Sequence, residues 1–216
     1  MKKNLTEIIF ILDESGSMSD LTDDTIGGFN SLIGKQRSGD GDVIVSTVLF
    51  SSSSKVIYDR VPLDDVRKMT RSDYCPGGST ALLDAVGGAV KHISNVHKYA
   101  RDEDVPEHTL VIITTDGMEN ASRTYTSSKV KKMISDMQEK HGWQFIFMGA
   151  NIDSVDTAGS IGICAETAVN YRADRKGTNV LYDAISNAMC GVRQGKKLKS
   201  NNVWRECVDA DMASQR

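Results

Sequence analysis

The sequence predicts an α/β fold with a mostly parallel, doubly wound sheet, and three observations support this prediction. Continuous apolar runs of strand length, such as Ile8–Leu12 and Leu110–Ile113, are typical of parallel strands that are covered on both faces. Between these runs lie segments whose apolar residues recur at helical spacing. Strand and helix therefore alternate along most of the chain, which is the pattern of a sheet with helices on both sides.

Length and composition indicate one folded domain. The chain has 216 residues, of which 39% are apolar and 25% charged, and a chain of this size buries enough surface to fold without disulfides or metals. We expect a single domain over residues 1–195 and a polar tail over residues 196–216, which frays or docks as a loose helix. The formal net charge of −3 gives no general attraction for nucleic acid or an anionic membrane.

Four apolar runs are predicted to be strands. They are Ile8–Leu12, Val43–Phe50, Leu110–Ile113 and Phe145–Met148. The shorter segment Lys55–Val61 follows the second run through four serines, which indicates a hairpin partner at an edge of the sheet.

Apolar stripes predict four helices. The stripes lie in residues 26–33, 82–93, 130–137 and 181–192. The third helix has Thr126 as its expected N-cap and Gly142 as its expected end. Residues Ser154–Ser160 are predicted to add a short helical turn.

The N-terminus and the cysteines bear on the compartment. The apolar run after Lys3 is short for a signal peptide, and Asp13-Glu14 ends it where a small-residue cleavage site would lie. The four cysteines are widely spaced and form no metal-binding pair: Cys75, Cys164, Cys190 and Cys207. We therefore expect free thiols and a cytoplasmic protein.

Three polar clusters fall at or beside predicted strand ends. Asp13 to Ser17 follow the first run directly, Gly77 to Thr80 precede the second helix, and Thr114 to Gly117 follow Ile113. In a doubly wound sheet, ligands bind at the carboxyl ends of the strands. We therefore expect these clusters to meet at one crevice.

The residue types in these clusters fit a hard divalent cation. Five side chains offer oxygen ligands: Asp13, Ser15, Ser17, Thr80 and Asp116. Mg²⁺ prefers such oxygens and usually keeps some of its waters, so Mg²⁺ or Mn²⁺ is expected rather than Zn²⁺. Three neutral hydroxyls leave the ion under-neutralised, which would attract an incoming carboxylate. Gly16 is expected to give the loop the freedom to turn both serines toward one point.

This ordered set resembles the metal-ion-dependent adhesion site (MIDAS) of von Willebrand factor type A domains. The resemblance extends from about Thr6 to Val192. It implies a three-layer, Rossmann-like sheet with one antiparallel edge strand and helices on both faces.

The resemblance also implies a ligand set and a function. Ser15, Ser17 and, in the ligand-bound state, Thr80 would bind Mg²⁺ or Mn²⁺ directly, while Asp13 and Asp116 would act mainly through bridging waters. A glutamate or aspartate of a protein partner would complete the shell. The expected function is a metal-dependent protein-binding module and not an enzyme.

Three alternatives remain open at this point. A phosphoryl hydrolase of haloacid-dehalogenase type would also begin with a strand that ends in Asp13, but it needs a second acid where Ser15 stands. A metal-free structural protein could carry the same residues. The hydroxyls of Ser15 or Ser17 and of Thr80 could also serve only as helix caps.

Two further groups of residues are given no functional role: the histidines, read as ordinary surface or partly buried residues, and a run of lysines near residue 196. The histidines have no metal-ligand spacing: His92, His97, His108 and His141. The run Lys196, Lys197 and Lys199 is read as part of a solvated tail rather than a contact for nucleic acid or acidic protein.

Overall fold

A computed structural model describes residues 1–200 and 202–214. Six strands form one sheet: β1 (Lys2–Asp13), β2 (Asp42–Phe50), β3 (Ser54–Pro62), β4 (Pro106–Thr115), β5 (Gln144–Gly149) and β6 (Ala168–Asn170). Six α-helices are present in the described ranges: α1 (Thr22–Gln36), α2 (Leu82–Tyr99), α3 (Ser127–His141), α4 (Ser154–Ser160), α5 (Arg175–Arg193) and α6 (Glu206–Ala213). Short 3₁₀ turns join several of them.

The strand order is β3-β2-β1-β4-β5-β6, and only the β2–β3 pair is antiparallel among the pairs described. The predicted fold class is therefore confirmed, including the antiparallel hairpin strand at one edge. The three-residue strand β6 was not predicted, because Ala168–Asn170 is too short to show a pattern.

Strand β1 shows why the central runs are continuously apolar. Ile8, Phe10 and Leu12 pack into the core on one face of the sheet. Ile9 and Ile11 pack into the core on the other face. Both faces are covered, so alternation between apolar and polar residues is absent.

The helices divide between these two faces. Apolar residues of α1, α5 and α6 belong to the first core, and those of α2, α3 and α4 belong to the second. Both ends of α3 are as predicted. At its start, Thr126 Oγ1 accepts a hydrogen bond from Lys129 N at 3.3 Å, and directly after its end Gly142 adopts φ 66°.

The segment after Gly195 is helical and packed where the structure describes it. Leu198, Trp204 and Val208 are buried in the same core as α5. The polar composition of this segment conceals these three apolar contacts. Asn201 and the last two residues, which belong to the predicted tail, lie outside the described residues.

Two further observations concern the whole described chain. All four cysteines are free, as predicted. Among the described residues, no helix combines the length and the apolar character that a membrane crossing requires.

Candidate metal centre

The sheet brings the three polar clusters to one place. Asp13 is the last residue of β1, and Asp116 directly follows the neighbouring parallel strand β4. The loop before α2 is held against the Asp13 loop by two backbone hydrogen bonds, from Gly16 N to Gly78 O at 3.1 Å and from Gly77 N to Glu14 O at 2.8 Å. The crevice predicted from sequence is therefore formed by these three loops.

A chain of hydrogen bonds joins four of the five predicted site residues. Ser15 N donates to Asp13 Oδ1 at 2.7 Å. The hydroxyl oxygens of Ser15 and Ser17 lie 3.1 Å apart, and Ser17 Oγ donates to Asp116 Oδ1 at 2.6 Å. The two carboxylates are thus linked through the backbone N–H of Ser15 and the hydroxyls of Ser15 and Ser17.

Thr80, the fifth predicted residue, borders the same space. A Cβ added to Gly117 would lie 3.1 Å from Thr80 Oγ1 and 3.8 Å from Ser17 Oγ, so both hydroxyls face the same glycine. Two hydrogen bonds position the Thr80 backbone, from its N–H to Asn120 Oδ1 at 2.9 Å and from Asn120 N to Thr80 O at 3.0 Å. The absence of a side chain at Gly117 keeps a cradle open between Thr80 and Ser17.

Helix capping does not explain these hydroxyls. Ser15 precedes a 3₁₀ turn over Gly16–Leu21, but its side chain makes no capping hydrogen bond. The N-cap position of α2 is Ala81, not Thr80, and the carboxylate of Glu119 accepts the hydrogen bond from Leu83 N at 2.8 Å. The capping alternative is therefore wrong.

The role expected of Gly16 belongs to another glycine. Gly78 has φ 80°, in the left-handed region that favours glycine, whereas Gly16 has no positive φ. A Cβ on Gly16 would make an ordinary contact of 3.5 Å with Gly78 O. The loop opposite the serines, rather than the serine loop itself, therefore requires the special backbone conformation.

Two residues that support Asp13 were missed by sequence reasoning. Thr115 Oγ1 donates a hydrogen bond of 2.6 Å to Asp13 Oδ2, and Tyr74 Oη donates one of 2.6 Å to the Asp13 carbonyl oxygen. Thr115 could have been found, since it lies one residue before Asp116 at the end of the adjacent strand. Tyr74 gives no comparable signal, because it lies in an irregular loop.

Asp13 is fully buried although it is the last residue of its strand. Burial raises the pKa of the Asp13 carboxyl, hydrogen bonds from Thr115 and Ser15 oppose this shift, and the nearby charge of Asp116 adds to it. Asp116 is also buried. In the part of the chain that the structure describes, no basic side chain forms an ion pair with either carboxylate. A bound cation would offset this pair of buried charges.

The donor set fits a hard divalent cation. Adjacent ligands of an octahedral Mg²⁺ ion with bonds of about 2.1 Å lie about 3.0 Å apart, close to the 3.1 Å between the Ser15 and Ser17 hydroxyls. Among the described residues, no group of three His, Cys, Asp or Glu side chains could hold a metal ion. A cation in this crevice would therefore need the hydroxyl oxygens as well as the two carboxylates.

Known proteins similar to this chain are found by comparing structures and not by comparing sequences. No protein-family model and no curated protein sequence matches the chain. A structure of proximal thread matrix protein 1 from the mussel byssus is similar over 86% of this chain and 46% of its own, with a TM-score of 0.60 and 16% identity. A second structure of that protein has a zinc-occupied MIDAS motif. It matches the same fractions of the two chains, with a TM-score of 0.58 and 15% identity.

Two other similar structures come from different organisms. A von Willebrand factor type A structure from Catenulispora acidiphila covers 86% of this chain and 43% of its own, with a TM-score of 0.56 and 12% identity. The structure of manganese-loaded TRAP protein from Plasmodium vivax is similar over 84% of this chain and 73% of its own, with a TM-score of 0.56 and 16% identity. The chain thus spans less than half the length of the mussel and Catenulispora structures. On this structural likeness, the chain has the fold of von Willebrand factor type A domains.

Proposed function

We propose that this chain is a protein-binding module that recognises an acidic side chain of its partner through a bound divalent cation, Mg²⁺ or Mn²⁺. One observation carries the proposal. Buried Asp13 accepts a hydrogen bond from the Ser15 backbone N–H, buried Asp116 accepts one from the Ser17 hydroxyl, and the two serine hydroxyl oxygens lie 3.1 Å apart. No basic side chain among the described residues neutralises either carboxylate. Buried charges in proteins are paired or hold metals.

The residues divide into two groups by their position. Ser15, Ser17 and Thr80 present hydroxyl oxygens to the crevice. Asp13 accepts a hydrogen bond from the Thr115 hydroxyl, and Asp116 accepts one from the Ser17 hydroxyl. The ion, when bound, supplies a Lewis-acidic position that a glutamate or aspartate of a partner can occupy.

The comparisons support a metal in this type of crevice. The mussel protein carries zinc in its MIDAS motif, and the Plasmodium protein was loaded with manganese. The oxygen-only donor set of this chain favours the harder ions Mg²⁺ and Mn²⁺. Four free thiols support the cytoplasm as the place where the module acts.

The geometry disfavours phosphoryl hydrolysis through Asp13. A nucleophilic carboxylate needs an accessible oxygen, but Asp13 is fully buried and each of its oxygens accepts a hydrogen bond. The second acid that such a reaction requires is replaced by Ser15.

Metal binding is tested by calorimetry with Mg²⁺, Mn²⁺ and Zn²⁺, accompanied by thermal melts. We expect modest affinity for Mg²⁺ and Mn²⁺, a rise in melting temperature with either ion, and loss of both effects in Asp13→Asn. This substitution keeps the size of the side chain in its buried position. Tight binding of Zn²⁺ alone, or no metal-induced rise in melting temperature, would contradict the proposal.

Partner recognition is tested with immobilised peptides that contain one glutamate, each beside a matched peptide with glutamine in its place. We expect retention by a subset of glutamate peptides in Mg²⁺, and loss of retention with chelator or with glutamine. Hydrolysis of an aryl phosphate in Mg²⁺ by the wild type, abolished in Asp13→Asn, would instead establish the hydrolase alternative.

A further inference from the structure

A second candidate site lies at the opposite end of the sheet from the metal centre. A cavity of about 760 Å³ opens between the end of α2, the start of β4 and the end of α3. It is lined by His97 from α2, His108 from β4 and His141 from α3, with Trp143 beside them. Three of the four histidines of the chain, which have no common spacing in sequence, thus line one cavity.

Lysines surround the same space, and we call it the basic cavity. Its lining includes Lys98, Lys140 and Lys197. Lys140 pairs with Asp136 at 2.6 Å. In the described parts of the chain, Lys98 and Lys197 form no ion pair, and Lys98 Nζ lies 5.2 Å from the centre of the Tyr99 ring. Two cations at the cavity therefore have no carboxylate partner within the structure described.

Two of the acidic groups nearby already have hydrogen-bond partners. Glu107 accepts a hydrogen bond from Asn4 N at 2.8 Å. Behind His97, the fully buried Glu7 accepts from Arg60 Nε at 3.0 Å and lies 2.5 Å from His97 Nε2. The cavity lining itself contains two carboxylates, those of Glu107 and Asp102. The lining thus has three lysines, one of them paired with Asp136 outside the lining, against two carboxylates, before any histidine is protonated.

The lysine-rich segment after Gly195 contributes to this site. A smaller cavity of about 280 Å³ shares Gly142, Trp143 and Lys197 with the basic cavity and adds Lys199. Burial of Leu198 between these two lysines holds the segment in place. Two of the three lysines interpreted from sequence as part of a solvated tail, Lys197 and Lys199, therefore flank a concave surface.

We propose that the basic cavity binds a small, multiply charged anion that carries phosphate or carboxylate groups. The volume is within the range of about 300–1,000 Å³ that is usual for small-molecule sites. Lysine ammonium groups and histidine N–H groups are donors to such anions, and charge-assisted hydrogen bonds of this kind are stronger than neutral ones. This site is separate from the metal centre and does not depend on it.

The test uses tripolyphosphate and citrate as probes, titrated into the full chain at constant ionic strength. Metal is removed beforehand with a chelating resin, since a soluble chelator would itself be a competing anion. Trp143 fluorescence reports binding in a Trp204→Phe background, because Trp204 is the only other tryptophan. Among the described residues, the buried Nε1 of Trp204 has no hydrogen-bond partner.

We expect saturable binding of at least one probe, and the better probe identifies phosphate or carboxylate as the preferred group. Lys197→Gln and His141→Gln should each weaken binding by about tenfold, the effect of losing one charge-assisted hydrogen bond. Lys132→Gln is the matched control, because Lys132 is an exposed lysine of α3 outside the cavity.

Three outcomes would overturn the proposal. The first is no saturation up to about 10 mM of either probe. A dissociation constant above this concentration would be weaker than that of ordinary small-ligand sites. The second is an equal loss in Lys132→Gln, which would indicate general charge attraction. The third is displacement of the probe by a single-stranded RNA or a polyglutamate peptide at far lower concentration, which would assign the surface to a macromolecule.

Discussion

Thr115 Oγ1 donates a hydrogen bond of 2.6 Å to Asp13 Oδ2, although the two residues are 102 positions apart in sequence. The bond links the ends of two neighbouring parallel strands, β1 and β4. Since Asp116 follows Thr115 directly, the end of β4 both supplies one carboxylate and orients the other. Asp13 is thereby held in place from within the sheet rather than by its own loop alone.

Thr115→Val keeps the shape of the side chain but removes this hydrogen bond, together with the one that Thr115 Oγ1 accepts from Gly117 N at 3.2 Å. We expect Mg²⁺ affinity to fall by about tenfold or more, as for other residues that orient metal-site groups. The free energy of unfolding should fall by about 1 kcal/mol or more for the lost hydrogen bonds. Calorimetry measures the first effect and urea unfolding the second. Unchanged Mg²⁺ affinity with a clear loss of stability would assign Thr115 a purely structural role.

Thr47→Val is the matched substitution on the neighbouring strand β2. Thr47 is fully buried, and its Oγ1 has no hydrogen-bond partner in residues 1–200 and 202–214. Replacing the hydroxyl by a methyl group should therefore raise the free energy of unfolding by up to about 1 kcal/mol. Metal affinity should not change. Destabilisation in urea unfolding would show that the hydroxyl does find a partner.

Gly117→Ala places a methyl group between two hydroxyls of the metal centre. The added Cβ would lie 3.1 Å from Thr80 Oγ1, so the threonine hydroxyl has to move. We expect weaker retention of glutamate peptides in Mg²⁺ and a smaller effect on the free energy of unfolding. Gly16→Ala is the control, because its Cβ would make only an ordinary contact of 3.5 Å with Gly78 O. Equal losses in both variants would contradict this interpretation.

Thr80→Ala separates metal binding from partner binding. If Thr80 joins the metal shell only when a partner docks, the variant should bind Mg²⁺ in calorimetry nearly as well as the wild type. Its retention of glutamate peptides should fall strongly. Asp13→Asn, in contrast, should lose both. Equal loss of Mg²⁺ affinity in the two partner-free variants would remove the distinction.

Asp73 should make stability depend on acidic pH. The Arg67 guanidinium, which lies 2.7 Å and 2.5 Å from the two carboxylate oxygens, holds the pKa of Asp73 well below its usual range, although partial burial opposes this shift. A lowered pKa in the folded state stabilises the protein above the unfolded value of about 3.9, and this contribution is lost as pH falls below it. Asp73 neighbours Tyr74, which supports the backbone of Asp13.

Asp73→Asn tests this linkage. The difference in free energy of unfolding between wild type and variant should be largest near neutral pH and shrink steadily from about pH 4 downwards. Urea unfolding at a series of pH values, without metal, measures it. A difference that stays constant from neutral to strongly acidic pH would show that the ion pair contributes nothing specific.

Local sequence determined the secondary structure and the fold class. The continuous apolar runs in residues 8–12 and 110–113 indicated strands covered on both faces, and Thr126 with Gly142 marked both ends of α3. These signals act between neighbours along the chain, so composition and spacing are sufficient to read them. The grouping of Asp13 and Asp116 also followed from sequence, because strands of a parallel sheet present their carboxyl ends at one edge. Thr80 was added from the polar loop before the second helix.

Tertiary structure alone decided how these residues are held. The hydrogen bonds from Thr115 and Tyr74 to Asp13 span 102 and 61 positions, and the register between β1 and β4 determines whether the first can form. The burial of Asp13, the left-handed conformation of Gly78 and the packing of Leu198 against the core likewise depend on elements far apart in sequence. Spacing along the chain carries no information about such contacts, because each one is fixed by the three-dimensional packing of separate elements.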